Sequence, residues 1–149
     1  MGTIQITKEF TFDMAHALAN YEGKCSHIHG HTYFLSVTVS GKPIAEKGGK
    51  TGMVMDFSDL KELVKTEVLD TFDHSIVLWE EDARFNSLSD LPRVHFVPYQ
   101  PTAENLLLDF VSRLRRNFND GAMLRCVMLR ETPTSCAAWH SYENDPAHP

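Results

Sequence analysis

The sequence predicts an α+β domain, a four-stranded antiparallel sheet with two helices on one face. Three observations carry that expectation. Residues 4–16 and 29–40 alternate apolar and polar side chains with a period of two. Residues 57–72 and 103–118 place apolar side chains three and four apart, the helical spacing. Two more extended segments, 122–131 and 135–142, close the chain around a turn at Thr132-Pro133-Thr134.

Each element has its own warrant. In the first strand Ile4, Ile6, Lys8, Phe10, Phe12, Met14 and His16 share one face, with Gln5, Thr7, Glu9, Thr11 and Asp13 on the other. In the second, His29, His31, Tyr33, Leu35, Val37 and Val39 face one way and Thr32, Ser36, Thr38 and Ser40 the other, with Phe34 the exception. Gly41-Lys42-Pro43 ends it, and the glycine-rich stretch 44–52 reads as an exposed loop. Asp56 or Ser58 caps the first helix, Asp59 suits its first turn, and its stripe runs from Phe57 through Leu60, Leu63, Val64 and Val68 to Phe72. After Asp73-His74 and the apolar Ile76-Val77-Leu78-Trp79, residues 80–92 read as a charged, irregular surface excursion. Residues 93–97 are a further candidate short strand. Pro98 and Pro101 bracket a turn, and Thr102 caps the second helix. Its stripe is Ala103, Leu106, Leu107, Phe110, Val111, Leu114 and Phe118, terminated by Asn119-Asp120-Gly121. Residues 143–149 read as a frayed polar tail.

The whole, 1–149, is expected to be one domain, since 149 residues at 42% hydrophobic suffice for a single core. A formal net charge of −6 argues against nucleic acid as a partner. No apolar run reaches membrane-spanning length, and residues 1–9 lack the basic start and apolar centre of a signal peptide. Three scattered cysteines are too few for a disulfide framework, so a cytoplasmic setting is expected. Four strands leave long unpaired edges, which ring closure between subunits would remove, so a homo-oligomer is expected too.

The chemistry gathers around Cys25-Ser26-His27-Ile28-His29-Gly30-His31. In extended backbone His29 and His31 point the same way, and Gly30 keeps their approach to a metal clear of a side chain. If the first two strands pair across the 17–28 loop, His16 joins them. Three imidazoles with an open fourth position is a catalytic zinc arrangement. Cys25, on the loop feeding that strand, is a base or nucleophile beside the metal, a fourth metal ligand, or an ordinary loop cysteine. Asp73-His74 offers a proton-transfer pair, although such neighbours also arise by chance. Glu131 ends a strand where a charge suggests ligand binding or a salt bridge with an arginine. Glu104, in a helix's first turn, is accounted for by the helix dipole.

Taken in order, Phe10-x-Phe12-x-x-Ala15-His16, Cys25-x-x-x-His29-Gly30-His31, Gly52-Met53-Val54-Met55-Asp56-Phe57, Asp73-His74, Pro101-Thr102-x-Glu104-Asn105 and Glu131-Thr132 resemble the 6-pyruvoyltetrahydropterin synthase family. The match, over about residues 8–135, is most similar to its 6-carboxy-5,6,7,8-tetrahydropterin synthase branch of queuosine biosynthesis. The resemblance implies the tunnelling fold, with sheets of several subunits joined into a barrel of trimers, usually paired as hexamers. It implies 7,8-dihydroneopterin triphosphate as substrate and zinc as cofactor, held by His16, His29 and His31. Cys25 would be the proton acceptor, His74 with Asp73 its relay partner, and Glu131 the acid that engages the pterin and shares in proton relay. Thr102 and Glu104 would make pterin-pocket contacts. Met14 departs from the family's usual small residue, the 80–97 segment is longer than in compact relatives, and 135–139 is only loosely similar. Rival readings are the pyruvoyl-forming branch, a zinc hydrolase, and a non-catalytic protein whose structural zinc Cys25 closes.

Overall fold

The computed structural model describes residues 2–118 and 121–144. Its strands are β1 (Ile4–His16), β2 (His29–Gly41), β3 (Ser75–Trp79), β4 (Val94–Val97), β5 (Ala122–Thr132) and β6 (Ser135–His140). They form one mixed sheet in the order β4-β3-β1-β2-β5-β6. The centre is the expected hairpin, with β1 and β2 antiparallel from Ile4 opposite Gly41 to His16 opposite His29. Strands β5 and β6 extend it antiparallel on one side.

On the other side the four-stranded antiparallel expectation is corrected. β3 runs parallel to β1 along Met14–His16, and β4 parallel to β3. The segment Ile76–Trp79 had no alternation to betray it, because Ser75, Val77 and Leu78 are all buried and both strand faces are covered. A short doubly covered strand reads as a plain apolar run, indistinguishable by period from a piece of buried helix. The excursion at 80–92 is likewise built around structure, a 3-10 turn at Ala83–Leu88 capped by a buried Asp82.

Helix α1 (Phe57–Val64) is capped by Asp56, whose Oδ1 accepts from the Ser58 amide at 2.7 Å. It continues through a π-helical turn (Lys65–Leu69) into a last α turn (Asp70–Phe72). Its buried residues Leu60, Val64, Val68 and Phe72 are spaced strictly by four. In a regular α-helix each such step drifts about 40° around the axis, and the wider π turn takes up part of that drift. Helix α2 (Ala103–Arg115) starts where Thr102 Oγ1 accepts from the Asn105 amide at 3.3 Å. Its Leu106, Leu107, Phe110, Val111 and Leu114 meet α1 and the inward positions of the sheet in one core. Phe12, Tyr33, Leu35, Val37, Val39, Val127 and Leu129 supply the sheet's share. Both helices therefore lie on the sheet face that the strand alternation assigned to the core.

Gly41 ends β2 where the chain leaves no room for a side chain, since a Cβ there would come 2.6 Å from the Gly121 carbonyl oxygen. The expected helix terminator at Asn119-Asp120 and residues 145–149 of the expected tail lie outside the described residues. Residues 143 and 144 belong to a 3-10 turn, Ser141–Asn144.

Candidate metal centre and pocket

The β1–β2 register sets His16 directly across from His29, with His31 two positions further along the same face. One ligand atom from each imidazole lies within 4.8 Å of the others. The rings are oriented from outside. His16 Nδ1 donates to the Pro101 carbonyl at 2.6 Å, and His29 Nδ1 donates to the His27 carbonyl at 2.8 Å. A carbonyl can only accept, so Nδ1 carries a proton in both rings, and the tautomer this selects is the one whose lone pair lies at Nε2. These two Nε2 atoms stand 3.1 Å apart. Two lone pairs at that distance repel unless a cation shares them, and backbone carbonyls behind ligating histidines are the usual means of fixing such a tautomer. The donor set thus suits a divalent metal. Burial pushes His16 below the ordinary imidazole range, opposed by the Pro101 bond and Glu131; burial also lowers His31, again opposed by Glu131. In both rings burial favours the neutral form that metal binding requires.

Gly30 plays a different part from the expected one. Its missing side chain would lie on the opposite face of β2, in ordinary contact with the Met14 carbonyl at 3.5 Å. It does not clear a path between the imidazoles.

Glu131 closes on this cluster from β5. Between Arg130, paired with Cys136, and Thr132, paired with Ser135, the β5–β6 register shifts at Glu131. Such a bulge re-aims a side chain at a sheet margin. Glu131 Oε1 lies 3.6 Å from His16 Nε2 and 4.0 Å from His31 Nε2. The fully buried Tyr33 donates its hydroxyl to the same oxygen at 3.2 Å, and burial together with Glu131 holds that phenol far above its ordinary pKa.

A cavity of about 280 Å³ opens beside the cluster. It gathers His16, His29, Cys25, Thr102, Glu104 and Glu131 from four separate parts of the chain. Leu18, Tyr21 and the start of β6, including Cys136, complete its wall. Cys25 lines this cavity from a 3-10 turn, Lys24–Ser26, but is not among the grouped metal-ligand atoms, which are the three histidines alone among the described residues. The Thr102 hydroxyl is engaged as the α2 cap, while Glu104 is exposed at the cavity edge.

Asp73 and His74 do not join the set. His74 lines a different cleft with Gly30, His31 and Ser75, and its side chain is 76% exposed. The pair is nonetheless firmly set. Asp73 Oδ1 accepts from His74 Nδ1 at 2.8 Å and from the Asp13 amide at 3.1 Å, and the His74 amide donates to the Asp13 carbonyl at 2.7 Å. His74 holds a φ of 57°, a left-handed conformation rare for a residue with a side chain.

Sequence reasoning missed Tyr33 and the Pro101 carbonyl as parts of the site. Tyr33 had a legible signal, being the next residue after His31 on the same strand face. The Pro101 contact, 85 positions from His16, had none.

A curated 6-carboxy-5,6,7,8-tetrahydropterin synthase from Haemophilus influenzae is 39% identical over 136 residues, covering 88% of this chain and 94% of its own. The enzyme of that name from Rickettsia bellii is 34% identical over 70% of this chain and 75% of its own. Among solved structures, an uncharacterized protein from Wolinella succinogenes superposes with a TM-score of 0.75 at 22% identity, covering 94% of this chain and 99% of the other, a likeness of fold. The 6-pyruvoyl tetrahydropterin synthase of Caenorhabditis elegans superposes at 0.66 with 25% identity, over 94% and 96% of the two chains. The family model for 6-pyruvoyl tetrahydropterin synthase matches residues 5–142, from the first strand to beyond the last, and the chain belongs to that family.

Proposed function

We propose that this chain is a zinc-dependent lyase that takes 7,8-dihydroneopterin triphosphate and water to 6-carboxy-5,6,7,8-tetrahydropterin, acetaldehyde and triphosphate, a step of queuosine biosynthesis. The observation that carries the reading is the cavity in which Cys25 and Glu131 meet His16 and His29, two of the three clustered histidines. The relatives named for the carboxy product, and the three residues between Cys25 and His29, support that branch.

Zinc bound by His16, His29 and His31 would supply Lewis acidity toward the side-chain hydroxyls of the substrate. The chain's own residues do the rest. Cys25 accepts a proton from the substrate's side chain. Glu131, steadied by Tyr33, accepts two hydrogen bonds from the amino and ring N–H edge of the pterin, the pattern a carboxylate recognises well, and shares in proton relay. Thr102 and Glu104, at the start of α2, form the cavity wall against the ring. Asp73 and His74 act as a relay pair, and their exposure outside the cavity is consistent with service to the cavity of a neighbouring copy. A trimer or hexamer, closing the outer strands β4 and β6 into a barrel of several sheets, would place them there. Among the described residues no helix is long and apolar enough to cross a membrane. The three cysteines are free thiols, in keeping with a reducing cytoplasm.

The test is product identification. Metal-replete protein incubated with 7,8-dihydroneopterin triphosphate should give the carboxy product by mass spectrometry, with acetaldehyde captured by an aldehyde trap. The pyruvoyl product without acetaldehyde would move the chain to the pyruvoyl-forming branch, and no reaction would overturn the substrate assignment.

A further inference from the structure

The segment that the sequence leaves as a charged excursion reaches back to the loop bearing Cys25. Asp82, only 5% exposed, receives Arg84 with both oxygens: Oδ1 from Nε at 2.9 Å and Oδ2 from an η nitrogen at 2.6 Å. Two parallel bonds fix the guanidinium plane as well as its position. Its remaining donors point away from Asp82. One η nitrogen donates to the Ser26 carbonyl at 2.8 Å, and the other to the Leu18 carbonyl at 3.1 Å. Leu18 in turn donates its amide to the Cys25 carbonyl at 2.9 Å. The peptide groups on either side of the Cys25 turn are therefore tied through one planar cation to a buried carboxylate.

We propose that Arg84, oriented by Asp82, is a positioning residue that sets where the Cys25 thiol sits over the cavity. The inference rests on the reading of Cys25 as proton acceptor. The loop from 17 to 28 is otherwise held by the short bonds of its own 3-10 turn and by the Ala19 amide donating to Gln100 Oε1 at 2.9 Å. On the Ser26 side those turn bonds run only to Gly23, from the Ser26 amide at 3.1 Å and its hydroxyl at 2.8 Å, so it is Arg84 that ties this side to a buried carboxylate outside the loop. A catalytic group displaced by about 1 Å can cost about a hundredfold in rate, so a brace on this turn bears on turnover without touching substrate. A lysine at 84 would keep the charge but has no planar fork, and cannot serve Asp82, Ser26 and Leu18 at once.

The experiment compares Arg84→Lys and Asp82→Asn with the parent protein, each zinc-loaded. In Arg84→Lys, kcat should fall about ten- to a hundredfold with KM nearly unchanged and zinc content intact. Alkylation of Cys25 by iodoacetamide, followed peptide by peptide with Cys136 as internal reference, should accelerate several-fold, as should amide exchange across 17–28. Asp82→Asn should shift all three readouts in the same direction by less. A lower melting temperature with unchanged Cys25 alkylation, loop exchange and kcat would reduce Arg84 to a structural ion pair and overturn the proposal. Alkylation and exchange need no substrate. A parent protein inert toward dihydroneopterin triphosphate would therefore sink the proposed function while leaving the brace to be judged by its own readouts.

Discussion

Tyr33 donates its phenolic O–H to Glu131 Oε1 across 3.2 Å from a position with no exposed surface. A hydrogen bond to a charged acceptor is worth about 1.5–3 kcal/mol, so the pair locks the carboxylate against the cavity wall. Tyr33→Phe keeps the ring stacked on Phe12, centroids 5.2 Å apart, and removes only the donor. Weaker pterin binding is expected, seen as roughly a tenfold rise in KM, with the fold intact by circular dichroism. Glu131→Gln should lower binding or turnover further without unfolding the domain. Unchanged kinetics in both variants would leave Glu131 with a purely structural role.

Ligand and base separate by zinc content. Cys25→Ala should retain zinc and fold while losing about a thousandfold or more in turnover, because the thiol stands outside the ligand group. His31→Ala should lose metal and activity together. Metal analysis after dialysis distinguishes them, and a thiolate charge-transfer band in the cobalt-substituted parent would mean that Cys25 is a ligand instead.

Complementation tests the relay pair. If Asp73 and His74 serve a neighbouring copy, Cys25→Ala and His74→Ala chains, each inactive alone, should recover activity when refolded together. Mixed samples that stay inactive, although oligomer exchange is verified by mass, would confine each site to one chain.

Stability should respond to acid through His95. Its Nε2 is buried with no partner among the described residues, and burial, with the charges of Arg93 and Arg113, holds the ring below its ordinary pKa against a backbone bond with Thr71. The folded chain therefore binds this proton less readily than the unfolded one. The stabilisation is fully present above the unfolded value of about 6.5 and is lost as pH falls through the lower folded value. Melting temperatures taken from pH 7.5 down to 5 should decline more steeply for the parent than for His95→Gln. Parallel curves would remove His95 from the account.

Much of this was readable in the chain, and the limits have physical causes. A period of two is a property of backbone geometry, so parity, once the two strands are paired as a hairpin, brought His16 to His29 and His31, while Thr102 marked the second helix start and Asp56 or Ser58 the first. Ser75–Trp79 escaped because a strand covered on both faces has no polar side to alternate with. Asp73 and His74 could be named but not located, since their exposure depends on how the chain turns after α1. Arg84 lay within a charged stretch whose composition matches any solvated surface. Only the fold reveals that its carboxylate partner is buried.

The direct pairing of His16 with His29 also bears on how this chain can change length. Adding or deleting one residue within either strand would throw every side chain beyond it onto the wrong face, scattering the imidazoles and exposing the core residues together. The 17–28 connection is under no such parity rule. Length variation in this region should therefore collect in the connection, along with changes in how far the thiol stands from the histidines. The hairpin would stay constant in length while the reach of the thiol drifted between lineages.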